Sequence, residues 1–290
     1  MSTENTQLTY ASGYNTDNII FSDPIQGGIP NTTIKFQRIM IGTKNPDGTK
    51  GELILSTRDP NDSNSEMFSF GLSENRDPGT DKINGYTIPV CLHKKDGPTD
   101  YEKAFTETFE NIVEACKDHI LSVKDDIGQY DLEKSDLKKL NPLYYKKENG
   151  KRVEGLGPTL YAKVIESKKQ GKILTQVFDY QGNPINPHDL KGKYCYGKFA
   201  VKIESIFIGN KISLQVKMYE AEVRVSDGGM KRLLSRPAAS TNIVMPSNND
   251  DDDVSVDGGD SLAGSDSEEE IKPQPKKVVK KVIKRKVVKK

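Results

Sequence analysis

The sequence predicts a mainly β protein of the α+β class: a small antiparallel barrel, one long helix and a disordered C-terminal tail. Three observations predict it. Residues 194–225 read as two long strand-type runs around Gly209-Asn210. Residues 100–124 carry apolar side chains spaced by three and four, the period of a helix. Strand-type runs fall in blocks on either side of that helix, without the βαβ alternation that a parallel sheet needs.

In chain order, residues 1–30 are rich in Asn, Thr and Ser and are expected to be irregular. The folded domain is expected over 31–235. Strands are expected at 33–42, 51–57 and 66–72, with a turn at Asn45-Pro46-Asp47-Gly48 after the first and a loop over 73–82. A fourth run, 86–92, contains Pro89, which donates no ladder bond and so points to an edge strand or a bulge. Thr99 and Glu102 then fit a capping box. Tyr101, Phe105, Phe109, Ile112, Cys116, Ile120 and Val123 mark the buried stripe of a helix of roughly six turns, a core stripe rather than a cofactor box. A polar connector over 125–158 holds a short helix at 133–140 that Pro142 stops. Strands resume at 159–167 and 172–180, with a turn at Gln181-Gly182-Asn183-Pro184. A barrel of the OB type, with the helix between its third and fourth strands, accommodates this order.

The last hairpin carries the functional argument. A two-residue loop at Gly209-Asn210, both tolerant of positive φ, would fix the register. One face then pairs Phe207 with Ile212, Ser205 with Leu214, Ile203 with Val216 and Val201 with Met218, and reads as core. The other pairs Ile206 with Ser213, Glu204 with Gln215, Lys202 with Lys217 and Ala200 with Tyr219. Two lysines opposed across a ladder cost a few tenths to about 1 kcal/mol, which a bound phosphate would relieve. Tyr196, Lys198 and Tyr219 share that face. Cations for phosphates and rings for bases are what a sequence-tolerant single-strand binder needs. The plain alternative is a solvated sheet face whose lysines splay apart and are partly neutralised by Glu204.

Composition narrows the rest. Formal net charge is +1, from 43 Lys and Arg against 42 Asp and Glu, but its distribution is uneven. Every charged residue over 250–270 is acidic, and every one over 272–290 is basic. The stretch 236–271 is too polar to repay the entropy of ordering and is expected to be a disordered linker. Its carboxylates, Asp250, Asp251, Asp252, Asp253, Glu268, Glu269 and Glu270, would compete with phosphate from a tethered position. Ser265 and Ser267 precede acidic residues, as acid-directed kinases prefer, and phosphorylation there would add negative charge. The tail 272–290 alternates Lys/Arg with Val/Ile doublets and reads as a nucleic-acid arm, a nuclear import signal or a membrane-surface segment, with a plain disordered basic tail as the alternative. Cys91, Cys116 and Cys195 are few, odd in number and far apart, which points to buried thiols of an intracellular protein rather than a disulfide framework. The N-terminus has neither the basic nor the apolar region of a signal peptide, and no apolar run approaches the ~20 residues of a membrane span. P-loop, GxGxxG, HExxH and GxSxG patterns are absent. His93, His119 and His188 are scattered. The expectation is therefore a protein without enzyme activity, cofactor or metal, and without a membrane partner.

Three stretches, GPTLYAKV at 157–164, the F-D-x-x-G-x-x-I-x-P pattern from Phe178 to Pro187, and KIESIFIGNKISLQVKMYEAEV at 202–223, resemble a family found in nucleocytoplasmic large DNA viruses. That family is similar to the phage T7-type single-stranded DNA-binding protein. The resemblance covers about a quarter of the chain. It implies an OB fold with a helix between strands three and four, and an acidic C-terminal tail that regulates binding and recruits replication proteins. It also implies sequence-nonspecific binding of single-stranded DNA, with RNA as the alternative strand, in viral replication, recombination or repair, in host cytoplasm or nucleus or packaged in the virion. A homodimer is compatible with it. Phosphates would then meet Lys163, Lys198, Lys202, Lys211 and Lys217, and bases would stack on Tyr161, Tyr196 and Tyr219. One departure stands out: the phage-type tail ends acidic with a terminal aromatic, whereas here a basic segment follows and Lys290 is last. That weighs against recruitment of a polymerase through the tail. Two alternatives stay open, a virion structural or DNA-packaging protein that binds through its basic tail, and a protein-only adaptor.

Overall fold

In the computed structural model the chain is described over residues 7–28, 33–93, 97–167 and 169–226. The expected linker at 236–271 and basic tail at 272–290, with all seven tail carboxylates, Ser265 and Ser267, lie outside those residues. Before the helix come β1 (Leu8–Tyr10), β2 (Ile19–Phe21), β3 (Ile25–Gly28), β4 (Lys35–Lys44), β5 (Lys50–Glu52), β6 (Ile54–Ser56), β7 (Met67–Ser69), β8 (Ser73–Arg76) and β9 (Ile83–Cys91). Helix α1 spans Asp100–Ser122. After it come β10 (Leu143–Tyr144), β11 (Lys147–Glu148), β12 (Lys151–Arg152), β13 (Thr159–Val164), β14 (Glu166–Ser167), β15 (Lys172–Ile173), β16 (Gln176–Phe178), β17 (Cys195–Ile208) and β18 (Ile212–Val225).

Five strands close a barrel in the order β7-β9-β13-β18-β17 and back to β7. Numbered along the chain, the ring runs 1-2-3-5-4. The pair β13–β18 is parallel and the other four are antiparallel, so the expected all-antiparallel barrel contains one parallel seam. One edge of β17 takes three partners in succession: β7 at Cys195–Gly197, β6 at Ala200–Lys202 and β4 at Ser205–Ile208. The strong runs at β4 and β6 therefore extend the sheet outside the ring. This corrects the helix's expected place between the third and fourth strands, since within the ring it follows the second, β9. Counting strand-like runs along a sequence does not reveal which of them close the barrel.

The helix itself follows the sequence closely. Thr99 and Glu102 form the reciprocal capping box. Tyr101, Phe105, Phe109, Ile112, Cys116 and Ile120 are buried in one core with the strands. The Tyr101 hydroxyl donates to the Ser56 carbonyl at the end of β6 (2.9 Å), and the Thr108 hydroxyl donates to the Ala11 carbonyl just after β1 (3.0 Å). These contacts draw in the N-terminal segment that was expected to be irregular. It forms β1, paired parallel with β6, and β2 and β3, both paired with β4. Such three- and four-residue strands show no period of their own and gain their ladder bonds from stronger neighbours. The segment expected as a loop at 73–82 likewise contains β8, paired with β9.

Pro89 is not at a sheet edge. Strand β9 lies between β13 on one side and β7 and β8 on the other. The β7 ladder stops at Ser69↔Val90 and the β8 ladder starts at Ser73↔Thr87, so Pro89 meets the break between them. Its carbonyl points to that side and accepts from the Ser69 hydroxyl (2.6 Å). The missing N–H points the same way, into the break, and forfeits no ladder bond.

The β17–β18 hairpin differs from expectation at its tip. Its loop is three residues, Gly209-Asn210-Lys211, with Ile208 opposite Ile212. Neither Gly209 nor Asn210 takes a positive φ. Glycine is needed for space instead, because a Cβ there would come within 2.8 Å of the Phe207 ring. Two bulges follow. One at Glu204 restores the expected partners Ile203↔Val216, Lys202↔Lys217 and Val201↔Met218, and one at Tyr219 shifts the register again, so Ala200 faces Glu220 rather than Tyr219. A bulge adds one residue to one strand and moves its successors to the other face. Hence Ile206 and Ile208 are buried, while Phe207, expected in the core, lies half-buried against Phe36 (ring centroids 5.1 Å).

Candidate nucleic-acid interface

Inward positions of the ring are filled by Ala162, Val164, Val201, Ile203, Val216 and Met218, all buried. Alternation along each strand then sends Lys163, Lys202 and Lys217 outward. Lys202 is the register partner of Lys217, and Lys217 that of Lys163. Three lysines thus form one row across β17, β18 and β13. The hairpin half of this row was expected from the sequence. Lys163 enters it only through the parallel seam, a long-range pairing.

The expected repulsion between Lys202 and Lys217 is met inside the chain. Lys202 Nζ lies 2.6 Å from Glu52 Oε1 on β5. Lys163 Nζ donates to Gln215 Oε1 at 3.3 Å. Lys217 makes no ion pair among the described residues. The anion that the sequence reading assigned to a bound phosphate is therefore supplied, in part, by Glu52. The opposed lysines alone do not require a ligand.

The remaining expected residues are spread along the same outer face. Tyr161 lies two residues before Lys163 and meets exposed Tyr144 edge-on (6.2 Å). Lys198 pairs with Glu222 (3.5 Å) and lies 5.9 Å from the centre of the Tyr180 ring. Tyr219 is exposed at its bulge, and Lys211 sits in the tip loop. Tyr196 lies at the far end, in a cluster that sequence reasoning missed.

That cluster consists of Phe68, Phe70, Tyr194 and Tyr196. Phe68 is the register partner of Tyr196, and their rings meet edge-on at 5.4 Å. Phe68 also lies 5.1 Å from Phe70 and 5.7 Å from Tyr194. Phe70 and Tyr194 are 43% and 56% exposed, a large apolar surface to leave in water. A tight turn places them. Gly71 takes a left-handed φ of +75°, and a Cβ there would lie 2.2 Å from the Lys193 carbonyl oxygen and 2.3 Å from that of Leu190. Only glycine lets the chain beside Phe70 pass so close to the chain before Tyr194. The one signal in the sequence was Phe68 and Phe70 at strand spacing, which reads equally as core.

Arg224 borders the cluster. Its guanidinium lies 5.6 Å from the centre of the Tyr196 ring and 3.1 Å from Glu66. The Glu66 carboxylate also accepts from the Tyr180 hydroxyl. The hydrogen bond that Arg224 donates to Glu66 raises the Arg224 pKa further, so the cation is permanent. Burial, then the bond to Glu66, pushes the Tyr180 phenol up, so it remains a donor.

Cys116 and Cys195 are buried and Cys91 is half-buried, all as free thiols. Burial pushes Cys116 up to about 12 and raises the other two, which keeps them protonated. Among the described residues, no group of three or more His, Cys, Asp and Glu is placed to hold a metal. No helix among them is long and apolar enough to cross a membrane.

Residues 13–260 match the family described as "Protein of unknown function (DUF2738)", and the chain belongs to that family. It is 26% identical over 155 residues to "Uncharacterized protein 007R" of Invertebrate iridescent virus 3, an alignment covering 52% of this chain and 33% of the relative. It is 28% identical over 189 residues to "Early 31 kDa protein" of Frog virus 3 (isolate Goorha), covering 64% of this chain and 69% of that relative. The chain thus spans about a third of the length of one relative and about two thirds of the other. These relatives mark it as a protein of the large-DNA-virus type.

Proposed function

We propose that this member of the family binds single-stranded DNA without sequence preference, along the outer face of β17, β18 and β13, in viral DNA replication, recombination or repair. One observation carries the reading: a row of three lysines and a partly exposed four-ring aromatic cluster share one barrel face. Phosphates follow the cations, and bases stack on Phe68, Phe70, Tyr194 and Tyr196, each stack contributing about 1–3 kcal/mol. The 1-2-3-5-4 ring with its parallel seam supports reading the barrel as an OB-type module, an architecture that can bind oligonucleotides. The protein acts as a binder rather than an enzyme, and the acidic stretch with Asp250–Asp253 and Glu268–Glu270 restrains non-specific binding. Full-length chain titrated into labelled oligo-dT, with duplex DNA and single-stranded RNA as competitors, tests this. Salt-sensitive binding that duplex does not displace supports it. Loss of all binding on deleting 272–290 would instead assign the activity to the basic tail and favour packaging.

One observation favours a second reading. Lys198, Lys202 and Arg224 each have a carboxylate partner, so the face is closer to neutral than its lysines suggest. Exposed rings on a near-neutral face also suit a protein partner. A chain that binds no oligonucleotide at low salt would point to that adaptor role.

A further inference from the structure

We propose that Glu52 is a built-in competitor for phosphate at the lysine row, an inference that rests on the single-strand reading. Lys202, Lys217 and Lys163 occupy consecutive register positions on neighbouring strands, which lie about 4.8 Å apart. The fold brings the Glu52 carboxylate to this row. Strand β5 is tied to β4 through Glu52↔Gly42, and β6, which follows it, pairs Ile54 with Lys202. Glu52 is thereby held against the lysine it neutralises.

Three features set this pair apart from a loose surface contact. It is short, at 2.6 Å, and both side chains are largely shielded, at 17% and 15% exposure. By comparison, Lys198 and Glu222 are 3.5 Å apart and the Glu222 side chain is 41% exposed. The two partners also come from strands 150 residues apart in sequence, so the fold fixes their meeting. A carboxylate oxygen at this distance from an ammonium occupies the place a phosphate oxygen would take. An incoming strand must displace Glu52 or be held mainly by Lys217 and Lys163. The competition is intramolecular, so protein concentration does not change it. Two consequences follow. Affinity is held below what three lysines would give, and Lys202 contributes little to counterion release because its charge is already matched.

The test is fluorescence anisotropy of labelled oligo-dT against full-length chain across a salt series, with thermal unfolding of every variant. Glu52→Gln should bind about two- to fivefold tighter at low salt, the factor by which such a pair shifts an equilibrium. Its salt slope should steepen by about 0.7, the share of one phosphate on a single strand. In a Lys202→Gln background, Glu52→Gln should change neither. A second comparison does not depend on the Glu52 variant folding: Lys202→Gln should leave the slope nearly unchanged, while Lys217→Gln should flatten it by about 0.7. Unchanged or weaker binding by folded Glu52→Gln overturns the inference. So does equal tightening in both backgrounds, or equal flattening by the two lysine variants. If the unaltered chain binds no oligonucleotide, both the inference and the single-strand reading fall. If it binds and the variants behave as just described, only the inference falls.

Discussion

The two faces of the β17–β18 hairpin share one backbone and one register, yet they answer to different demands. The inner face is explained by packing. Val201, Ile203, Val216 and Met218 are buried, and each contributes the ~1.5–3 kcal/mol expected of an apolar side chain removed from water. The outer face gains little that way. It sets three lysines in a row, spends a shielded carboxylate on one of them, and leaves aromatic rings exposed at one end. Packing accounts for the inner face and leaves the exposed rings of the outer face unexplained, which is where the proposed binding enters. Substitutions on the two faces should therefore separate stability from binding.

The largest effect is expected on the packed side. Phe109 on α1 is fully buried in the core rather than exposed on the outer face. Phe109→Ala should cost about 3–5 kcal/mol of stability through the cavity it leaves, read by denaturant unfolding. Protein that stays folded should bind oligo-dT unchanged. A selective binding loss would show that the helix side takes part in recognition.

The aromatic end should behave in the opposite way. Phe70→Ala with Tyr194→Ala should weaken oligo-dT binding by about 1–3 kcal/mol for each ring that stacks a base, and shift the melting temperature far less. Equal binding by this variant would remove the cluster from the site. Smaller still is the expected effect of Thr99→Ala, which removes the capping box of α1. It should cost about 0.5–2 kcal/mol of stability, with oligonucleotide affinity untouched.

The same contrast explains what the sequence revealed. Helix α1 was legible because its stripe repeats over 23 residues and begins at a capping box. The Lys202–Lys217 pair was legible because it needs only a turn and a period of two. Its expected register assumes a two-residue loop, and the bulge at Glu204 compensates for the three-residue loop that the hairpin has. Bulges carry no composition signal, so Phe207 and Ile206 were assigned to the wrong faces. Lys163, Glu52 and the Phe68–Tyr196 pairing depend on contacts between distant strands, which no local pattern encodes. Pro89 was misplaced for a similar reason: the break in the neighbouring ladder that accommodates it lies in another part of the chain.

The central claim is that the outer face, rather than the tail, carries the binding. It is tested most directly by the full-length chain with Lys202→Glu and Lys217→Glu together, titrated into labelled oligo-dT at two salt concentrations beside the unaltered protein. The account predicts at least tenfold weaker binding, on the order of 1.4 kcal/mol, a flatter salt dependence and an intact thermal transition. Affinity and salt dependence equal to those of the unaltered chain would contradict it.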